Sequence, residues 1–278
     1  MVGVHARAAR VAPALTLVVA LAGVASEAHA YHDEETEIVV DTAHVLSAGE
    51  VRLGLWRLDV GIADAVDVGT YTWLWLVPFP NAQVKWRIVR DGRWGFAVRT
   101  GAYYLDSSFL WWTDIDSDFS AGIVPFELWF TAPLAERWAL TLGSAWTTVF
   151  LTGSYDPDEF AGTAAVDNLQ FQVSVEWRLS RVTALLLTTR WLAFERARGD
   201  AAVVRQLDDF TTVEVAGAAS IQGESVRNAA YLMLSSVFSW QSVNLRVGIG
   251  AGNYNLPSIN LMLPRKSVVA ELDLYFRF

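Results

Sequence analysis

Histidine is scarce in the part of the chain that we expect to fold. The sequence has 278 residues, four histidines and no cysteine. His5 and His29 fall in a predicted leader, which leaves His32 in a charged tail and His44 near a possible first strand. Hydrolytic sites depend most often on histidine as general acid or base, and His44 has no serine or aspartate partner at motif spacing. We therefore expect no enzyme, no metal site and no cofactor, and we expect His44 to be a wall or rim residue.

A larger group with chemical potential consists of charged side chains at alternate positions of otherwise apolar segments. Placed on the inner face of a closed sheet, they would form a basic lining in a chain whose net charge is −9. Such a lining favours either a narrow pore for small polar or anionic solutes or a network of ion pairs that holds the sheet in shape. The candidates are Lys85, Arg87, Arg99, Glu127, Glu176, Arg178, Arg190, Arg227 and Arg246.

Small residues on the same faces are expected to leave space in the interior. Their positions follow the alternation of the charged residues along three segments, so that several consecutive inward positions carry little volume. These positions are Gly95, Ala97 and Gly101; Ala139, Thr141, Gly143 and Ala145; and Gly248, Gly250 and Gly252.

Two further groups could contact a ligand or an ion. Tyr71, Trp73 and Trp75 alternate along one segment. Facing inward they could stack on a sugar ring or a hydrophobic ligand, whereas facing outward they would belong to the lipid interface, where aromatic residues are common. The run 114–118 alternates aspartates, but it lacks the glycine and the later glutamate of a calcium loop. We interpret it as a solvated acidic loop that could share divalent cations with lipopolysaccharide.

The first thirty residues have the three parts of a secretory signal peptide. Arg7 and Arg10 form a basic start, residues 11–25 are an apolar run, and Ala28-His29-Ala30 gives a small-x-small cleavage pattern. The run is shorter than the roughly 20 residues of a spanning helix, which argues against an uncleaved anchor. We expect residues 1–30 to be removed on export and residues 31–278 to form one domain.

The elements that must position the charged residues are predicted to be β-strands. Apolar residues make up 53% of the chain, and from Asn168 to Leu179 they occupy every second position. This period of two is that of a strand whose two faces differ. The long uncharged stretches 228–245 and 247–264 show the same period and are interrupted by Ser, Asn, Gly or Pro, so helical membrane spans are not predicted.

Two patterns favour a membrane barrel over a soluble sandwich. Aromatic residues gather at strand ends, as in Trp94, Trp138, Trp177 and Trp240, and short turns alternate with long loops, both of which are typical of outer-membrane barrels. The predicted tight turns are 63–65, 91–92, 133–136, 180–181 and 241–242, and the predicted long loops are 106–117, 153–167, 195–225 and 252–266.

The C-terminal segment carries the most specific motif. Leu272, Leu274, Phe276 and Phe278 alternate with other residues, and the sequence ends on Phe278. In this the chain resembles the bacterial outer-membrane β-barrel class, whose last strand has alternating apolar residues and a terminal aromatic residue. The resemblance implies that these four residues are a signal read by the barrel-assembly machinery. It also implies an outer-membrane location, in contact with lipid and lipopolysaccharide.

The strand count follows from closure. Eleven strands can be identified directly from the alternation in the sequence, and a bacterial barrel needs an even number of strands. We predict that Glu37 to Leu46 supplies the missing strand, turning at 47–49 into a strand over 51–61, and that 210–221 is a wall extension or a loop hairpin. The sequence thus predicts an all-β fold, a closed antiparallel up-and-down transmembrane β-barrel of about twelve strands, with ten or fourteen as alternatives.

Twelve strands lie between the filled interior of an eight-stranded barrel and the aqueous channel of a porin, so side chains decide whether the lumen is open. We expect a passive channel or transporter for small polar or anionic solutes. The alternative is a structural or binding barrel with a plugged lumen that acts through its extracellular loops. The acidic net charge argues against a nucleic-acid partner.

Overall fold

A computed structural model describes residues 37–76, 79–91, 94–107, 117–155, 160–208, 211–223, 229–240, 242–256 and 259–278. The predicted leader, Arg227 and the side chains of the acidic run 114–118 therefore lie outside the described residues. In the described ranges, no helix has the length and apolarity needed to cross a lipid bilayer. The strands are β1 (Val51–Gly54), β2 (Leu58–Ala63), β3 (Val66–Thr70), β4 (Asn81–Asp91), β5 (Trp94–Asp106), β6 (Ser117–Ala135), β7 (Trp138–Tyr155), β8 (Phe160–Arg178), β9 (Thr183–Asp208), β10 (Thr211–Gly223), β11 (Ala230–Trp240), β12 (Val243–Leu256) and β13 (Leu261–Arg277), and a short 3₁₀ helix covers Thr72–Leu76.

Twelve of these strands close into an antiparallel barrel. Neighbours in sequence pair from β1 to β9, β9 then pairs with β11, and β13 returns to β1. Closure leaves no free sheet edge around most of the circumference, which suits a wall that cannot hydrogen-bond to water. The fold class and the strand number predicted from the sequence are confirmed.

The extra strand, β10, continues the line of β11 along β9. Gly223 of β10 lies opposite Ala197, and Ala230 of β11 lies opposite Trp191. Both descriptions of 210–221 apply, because β10 forms a hairpin with β9, from Thr211 opposite Asp208, and this hairpin extends the wall. The predicted loops 153–167 and 195–225 are likewise mostly paired strand, because β7, β8 and β9 reach 18, 19 and 26 residues. A membrane-spanning strand needs about ten residues, and each of these three strands is much longer than that.

The prediction that Glu37 to Leu46 forms a wall strand is wrong. The even count arises because the predicted strand over 51–61 folds back on itself, with the Gly54 amide donating to the Arg57 carbonyl at 2.8 Å. This reversal yields β1 and β2. The segment 37–46 does not follow the period of two, since Ile38 and Val39 are adjacent apolar residues that are both buried. A strand of the wall would turn one of them to the outside.

The wall separates two chemically different faces. Along β4, Gln83 and Lys85 are buried while Val84 and Trp86 are exposed. Trp94, Trp138, Trp177 and Trp240 all stand next to the tight turns, and the rings of Trp138 and Trp177 stack at 5.1 Å between centroids. Apolar side chains therefore cover the outside, and polar side chains face the lumen. The outward C-terminal residues are Leu272, Leu274, Phe276 and Phe278.

The strands of the wall are shortest at one place, and we call the gap that they leave the notch. Strands β1, β2 and β3 have only four, six and five residues, whereas β13 has 17. At about 3.3 Å per residue, the three short strands reach only about 13–20 Å. Arg52, Leu53 and Gly54 of β1 lie opposite residues 277, 276 and 275 of β13, and the backbone bonds along this seam end at Leu55, whose amide donates to the Leu274 carbonyl. The notch thus lies on the loop side of β1–β3, between β13 and the helix Thr72–Leu76.

Buried ion pairs reinforce the short seam between β1 and β13. Arg52 Nη2 lies 2.6 Å from Asp273 Oδ2 on β13, and its Nη1 lies 3.2 Å from Asp59 Oδ2 on β2. Asp59 Oδ1 in turn lies 2.5 Å from Arg57 Nε. These side chains tie the first hairpin to the last strand where the backbone ladder supplies few bonds.

We expect Gly69→Ala to weaken this seam. A Cβ at position 69 would overlap Asp59 Oδ1 and displace the carboxylate from Arg52 and Arg57. Breaking a buried pair costs about 3 kcal/mol, so the free energy of unfolding should fall by about that amount in a urea titration followed by tryptophan fluorescence. Gly122→Ala is the control, because its Cβ would meet no atom closer than 3.9 Å. Equal stability of the two variants would contradict the role of Asp59.

Candidate binding site in the lumen

Residues 37–50 form a plug inside the turn end of the barrel. Ile38 packs against Leu186 of β9 and Val237 of β11. Across the lumen, Ala43 packs against Trp129 of β6. Because the plug contacts opposite sides of the wall, it occupies the interior, where its apolar residues are buried on all sides.

Wall side chains supply hydrogen bonds for the backbone of the plug. Lys85 Nζ donates to the Val39 carbonyl at 2.7 Å and also to the His44 carbonyl. Thr131 Oγ1 accepts from the Ala43 amide at 2.9 Å. Buried backbone groups need such partners, so the polar inner face is complementary to an irregular chain. His44 therefore belongs to the plug and not to the wall, with its Nδ1 3.3 Å from Glu37 Oε2.

Arg277 holds both ends of the plug together. Its Nε lies 2.5 Å from Glu50 Oε1, and its Nη1 donates to the Glu37 carbonyl at 2.8 Å. The plug is thus a loop that enters and leaves at the turn end. Its tip is Asp41, with a φ of 56°, in the left-handed region that aspartate tolerates better than most residues.

Asp41 brings a negative charge into the basic interior. Its Oδ1 lies 3.4 Å from Arg99 Nη2. Burial alone would raise the pKa of Asp41, but attraction to Arg99, Arg190 and Arg246 outweighs it and lowers the pKa below its ordinary value. The carboxylate is therefore ionised at neutral pH and offsets part of the positive charge of the wall.

The small inward residues make room for protein and not for an open pore, which corrects our expectation. Gly95 faces the side chain of Ala43 in the plug. A Cβ at Gly143 would overlap the ring of Trp129, and one at Gly248 would overlap Ser235 Oγ. The space that these glycines leave is filled by the plug and by large side chains from neighbouring strands.

The turn between β12 and β13 folds into the lumen and forms a roof of residues 259–262. Asn260 Nδ2 donates to Glu127 Oε1 at 2.8 Å, and its carbonyl accepts from Gln170 Nε2 at 2.5 Å. Ile259 and Leu261 pack against an apolar cluster that contains Tyr71 and Tyr103. The plug therefore enters the lumen from the turn end, and the tip of the β12–β13 hairpin enters it from the loop end.

The inner face carries the predicted charged residues, most of them in local pairs. Arg99 Nη2 lies 2.5 Å from Glu127 Oε2, and Arg178 Nε lies 2.7 Å from Glu176 Oε1. Arg246 Nε lies 3.0 Å from Glu271 Oε2. The structure buries Lys85, Arg87, Arg99, Glu127, Arg178 and Arg190, and it leaves Glu176 and Arg246 partly buried.

Tyr71, Trp73 and Trp75 do not alternate along a strand. Strand β3 ends at Thr70, and the 3₁₀ helix Thr72–Leu76 turns the three rings in different directions. Tyr71 is buried, Trp73 lines a cavity, and Trp75 is exposed with its indole N–H donating to Thr70 Oγ1 at 2.7 Å. Tyr71 also lines that cavity, so the inward alternative holds for Tyr71 and Trp73 and the outward one for Trp75.

A cavity of about 300 Å³ lies between the plug and the roof. Asp41 lies at its floor, Asn255 and Leu256 at its loop end, and Arg190 and Arg246 on its wall. This volume is at the lower end of the range for small-molecule sites. The cavity is the part of the lumen in which the described residues leave room for a ligand.

Arg190 differs from the other arginines of the cavity. Its Nε and Nη2 donate to Gln172 Oε1, and its Nη1 donates to Asn260 Oδ1 at 3.0 Å. These acceptors are neutral amides, and they use three of the five N–H groups of a guanidinium. Among the residues that the structure describes, no carboxylate forms an ion pair with Arg190, so it is the best candidate for binding an anion.

The alternation did not reveal several residues that shape this site. Asp41 and Asn260 come from the plug and the roof, whose positions depend on tertiary folding. Arg277 could have been found from the sequence, because the alternation along β13 places it on the same inner face as Asp273 and Tyr275. Arg52 lies next to the predicted turn at 47–49, and no partner could be assigned to it from the sequence.

We expect Arg277→Met to loosen the plug. The chain has no cysteine, so Val45→Cys gives a single buried thiol within the plug. Loss of the charge-assisted bonds from Arg277 should accelerate the reaction of this thiol with a water-soluble maleimide about tenfold or more. Ser47→Cys, at an exposed position of the plug, sets the fully accessible rate, and Lys266→Met on exposed β13 is the matched control. Unchanged labelling in Arg277→Met would contradict the role of Arg277 in holding the ends of the plug together.

Comparisons with known proteins add little to this geometry. No protein-family model and no curated protein matches the sequence. Among solved structures, the chain is similar to an outer-membrane-expressed OmpT of Vibrio cholerae, with 11% identity and a TM-score of 0.37. The match covers 80% of this chain, which spans 63% of the length of that protein.

Proposed function

We propose that the protein is an outer-membrane β-barrel with a plugged lumen that binds a small anionic molecule in its internal cavity. The membrane location is supported by the outer face, where large apolar residues such as Trp86, Phe126 and Leu272 are about half exposed. Burial of such residues in lipid is favourable at roughly 25 cal/mol per Å². The tryptophans beside the tight turns suit the interfacial region of a bilayer.

The plug is the observation that favours a binding function over passive transport. It passes through the turn end of the lumen, where Lys85, Thr131 and Arg277 bind its backbone or its ends. A passive channel would need a continuous water-filled path, and the plug interrupts that path. The plugged-lumen alternative is therefore better supported than the channel, although we place the ligand inside the barrel and not on its loops.

The preference for an anion rests on Arg190. Its guanidinium lines the cavity and keeps N–H donors in reserve, while Arg246 lies on the same wall with Glu271 as its partner. A buried cation without an adjacent carboxylate is costly, and an anionic ligand would offset that cost. Arginine is also well suited to carboxylates and phosphates because it can donate two parallel hydrogen bonds.

Export and assembly complete the proposal. Residues 1–30 would direct secretion, and Leu272, Leu274, Phe276 and Phe278 would be read by the assembly machinery. All four side chains lie on the outer face of β13, where a membrane-embedded partner could contact them. Lipid and lipopolysaccharide would then surround the barrel.

An enzymatic role is the weaker alternative. His44 is the only histidine among the described residues, and it borders a space of about 10 Å³ beside Glu37 and Glu176. A site of this size holds a water molecule but no substrate. Lipid turnover by the purified barrel that disappears in His44→Ala would establish an enzyme instead.

We expect the wild-type barrel to show no stepwise conductance in a planar lipid bilayer at high salt. Deletion of residues 38–46 should open steps of conductance, because it removes the segment that fills the turn end. Retention of heat-modifiable migration in a detergent gel would show that the shortened chain still folds. Steady conductance by the wild type would refute the binding proposal and favour the passive channel.

Lys85→Met provides a second variant that leaves the chain length unchanged. It removes the ammonium group that binds the Val39 and His44 carbonyls, so brief openings should appear where the wild type is silent. Arg198→Met is the control, since Arg198 is a half-exposed cation on the outer part of β9. Openings of equal frequency in both variants would contradict the role of Lys85.

A further inference from the structure

The cavity reaches the outer surface of the barrel at the notch. On β13, Glu271 and Asp273 point inward while Ala270 and Leu272 point outward, yet all four line the cavity. A cavity bounded by both faces of one strand must pass around the edge of that strand. The backbone hydrogen bonds between the first hairpin and β13 end where the Leu55 amide donates to the Leu274 carbonyl at 3.0 Å, and beyond that point the Leu272 carbonyl accepts from a side chain, the indole of Trp56.

Described residues border several other sides of the cavity. The tip of the plug lies beneath it, and the roof lies at the loop end, where Asn260 is fixed by Glu127, Gln170 and Arg190. The remaining walls are the paired strands β9, β11 and β12. Within the described part of the chain, the notch is therefore the side with the lowest barrier to a ligand.

The rim of the notch is apolar. Leu55, Trp56, Trp75 and Leu76 are exposed to between 49% for Trp56 and 83% for Leu76. The indole N–H of Trp56 donates to the Leu272 carbonyl at 2.6 Å, which satisfies one backbone group of the free edge. Apolar side chains and a bonded edge are what lipid contact requires, so the notch faces the hydrocarbon region.

We infer that the cavity takes a single-chain amphipath with an anionic head group, such as a long-chain fatty acid, which passes through the notch from the bilayer. This inference rests on the proposed binding function and specifies the ligand class and its route. The head group binds at Arg190, and the chain leaves the cavity past Ala270 and Leu272. The indole of Trp56 lies across the opening and turns aside when the chain passes.

The chemistry of the two regions explains why one molecule should occupy both. A cavity of about 300 Å³ is too small to enclose a long acyl chain together with a hydrated head group, but a chain that extends into lipid needs no further enclosure. A fully water-soluble anion would gain nothing from the apolar rim. A neutral lipid would leave Arg190 without a directly bonded anion, with Asp41 as a counter-charge that forms no ion pair with it.

The test uses the full-length barrel in phosphatidylcholine nanodiscs with a fatty acid that carries a photoreactive diazirine on its chain. Adducts are mapped by mass spectrometry of peptides. We expect saturable labelling of the peptides that contain Trp56 and Leu272, and competition by excess dodecanoate but not by dodecanol. Ala270→Trp, which fills the notch, should reduce labelling about tenfold or more, as an obstruction worth about 1.4 kcal/mol would.

Matched variants separate the notch from general lipid contact. Ala251→Trp places the same ring on the outer face of β12, one strand away, and should leave labelling unchanged. Arg190→Gln should reduce labelling about tenfold, and Arg190→Lys should retain most of it, because the head group needs a positive charge. Labelling spread evenly over the outer face, and equal in Ala270→Trp and Ala251→Trp, would overturn the inference.

Inorganic phosphate distinguishes this inference from the proposed function. If phosphate binds in calorimetry with a dependence on Arg190 while the fatty acid gives no saturable label, the anion site stands and the amphipath is wrong. If neither probe depends on Arg190, the proposed function fails as well. Adducts on Trp56 that Arg190→Gln leaves unchanged would show lipid contact at the rim only and would also overturn the inference.

Discussion

The structure depends on how the first hairpin is joined to the last strand. A barrel in lipid must close, because an open edge leaves backbone groups without partners. Here closure rests on a short ladder that runs from the Val51–Phe278 pair to the bond from the Leu55 amide to the Leu274 carbonyl, together with the contacts of Arg52 to Asp59 and Asp273. Buried ion pairs gain little over apolar packing, but removing one partner is strongly destabilising. At this seam they fix which strands meet, where the ladder alone is too short.

The same short strands account for the cavity and the notch. If β1–β3 were as long as β13, the wall would be uniform and the interior would have no lateral opening. A twelve-stranded barrel is also wider than facing side chains fill. The chain resolves this by folding the plug in from the turn end and the roof in from the loop end, and by placing glycines such as Gly95 and Gly143 where bulky groups approach the wall. What remains between them is the cavity.

Period-two alternation predicted the strands that are long and two-faced, because an apolar outer face and a polar inner face require opposite chemistry of adjacent residues. It failed for the plug, which has the same environment on all sides. It also failed at 51–61, where the chain reverses at Gly54-Leu55-Trp56-Arg57, with a single glycine as the local turn signal. In both cases the requirement for an even strand number was satisfied, although the missing strand came from a different segment. The even-number rule restricts how many strands the barrel has, but it does not say which residues form them.

Alternation assigns the face of a charged residue but not its partner, and the partner decides its function. Arg99, Arg178 and Arg246 have carboxylates within 3.0 Å, so their inward position serves the network. Arg190 has the same parity and nearly the same burial as Arg178, yet it meets only amides in the described structure. That difference depends on Asn260 reaching across the lumen from the roof. The property that makes Arg190 a candidate binding residue is thus created by a tertiary contact, which is why it is absent from the pattern of the strand.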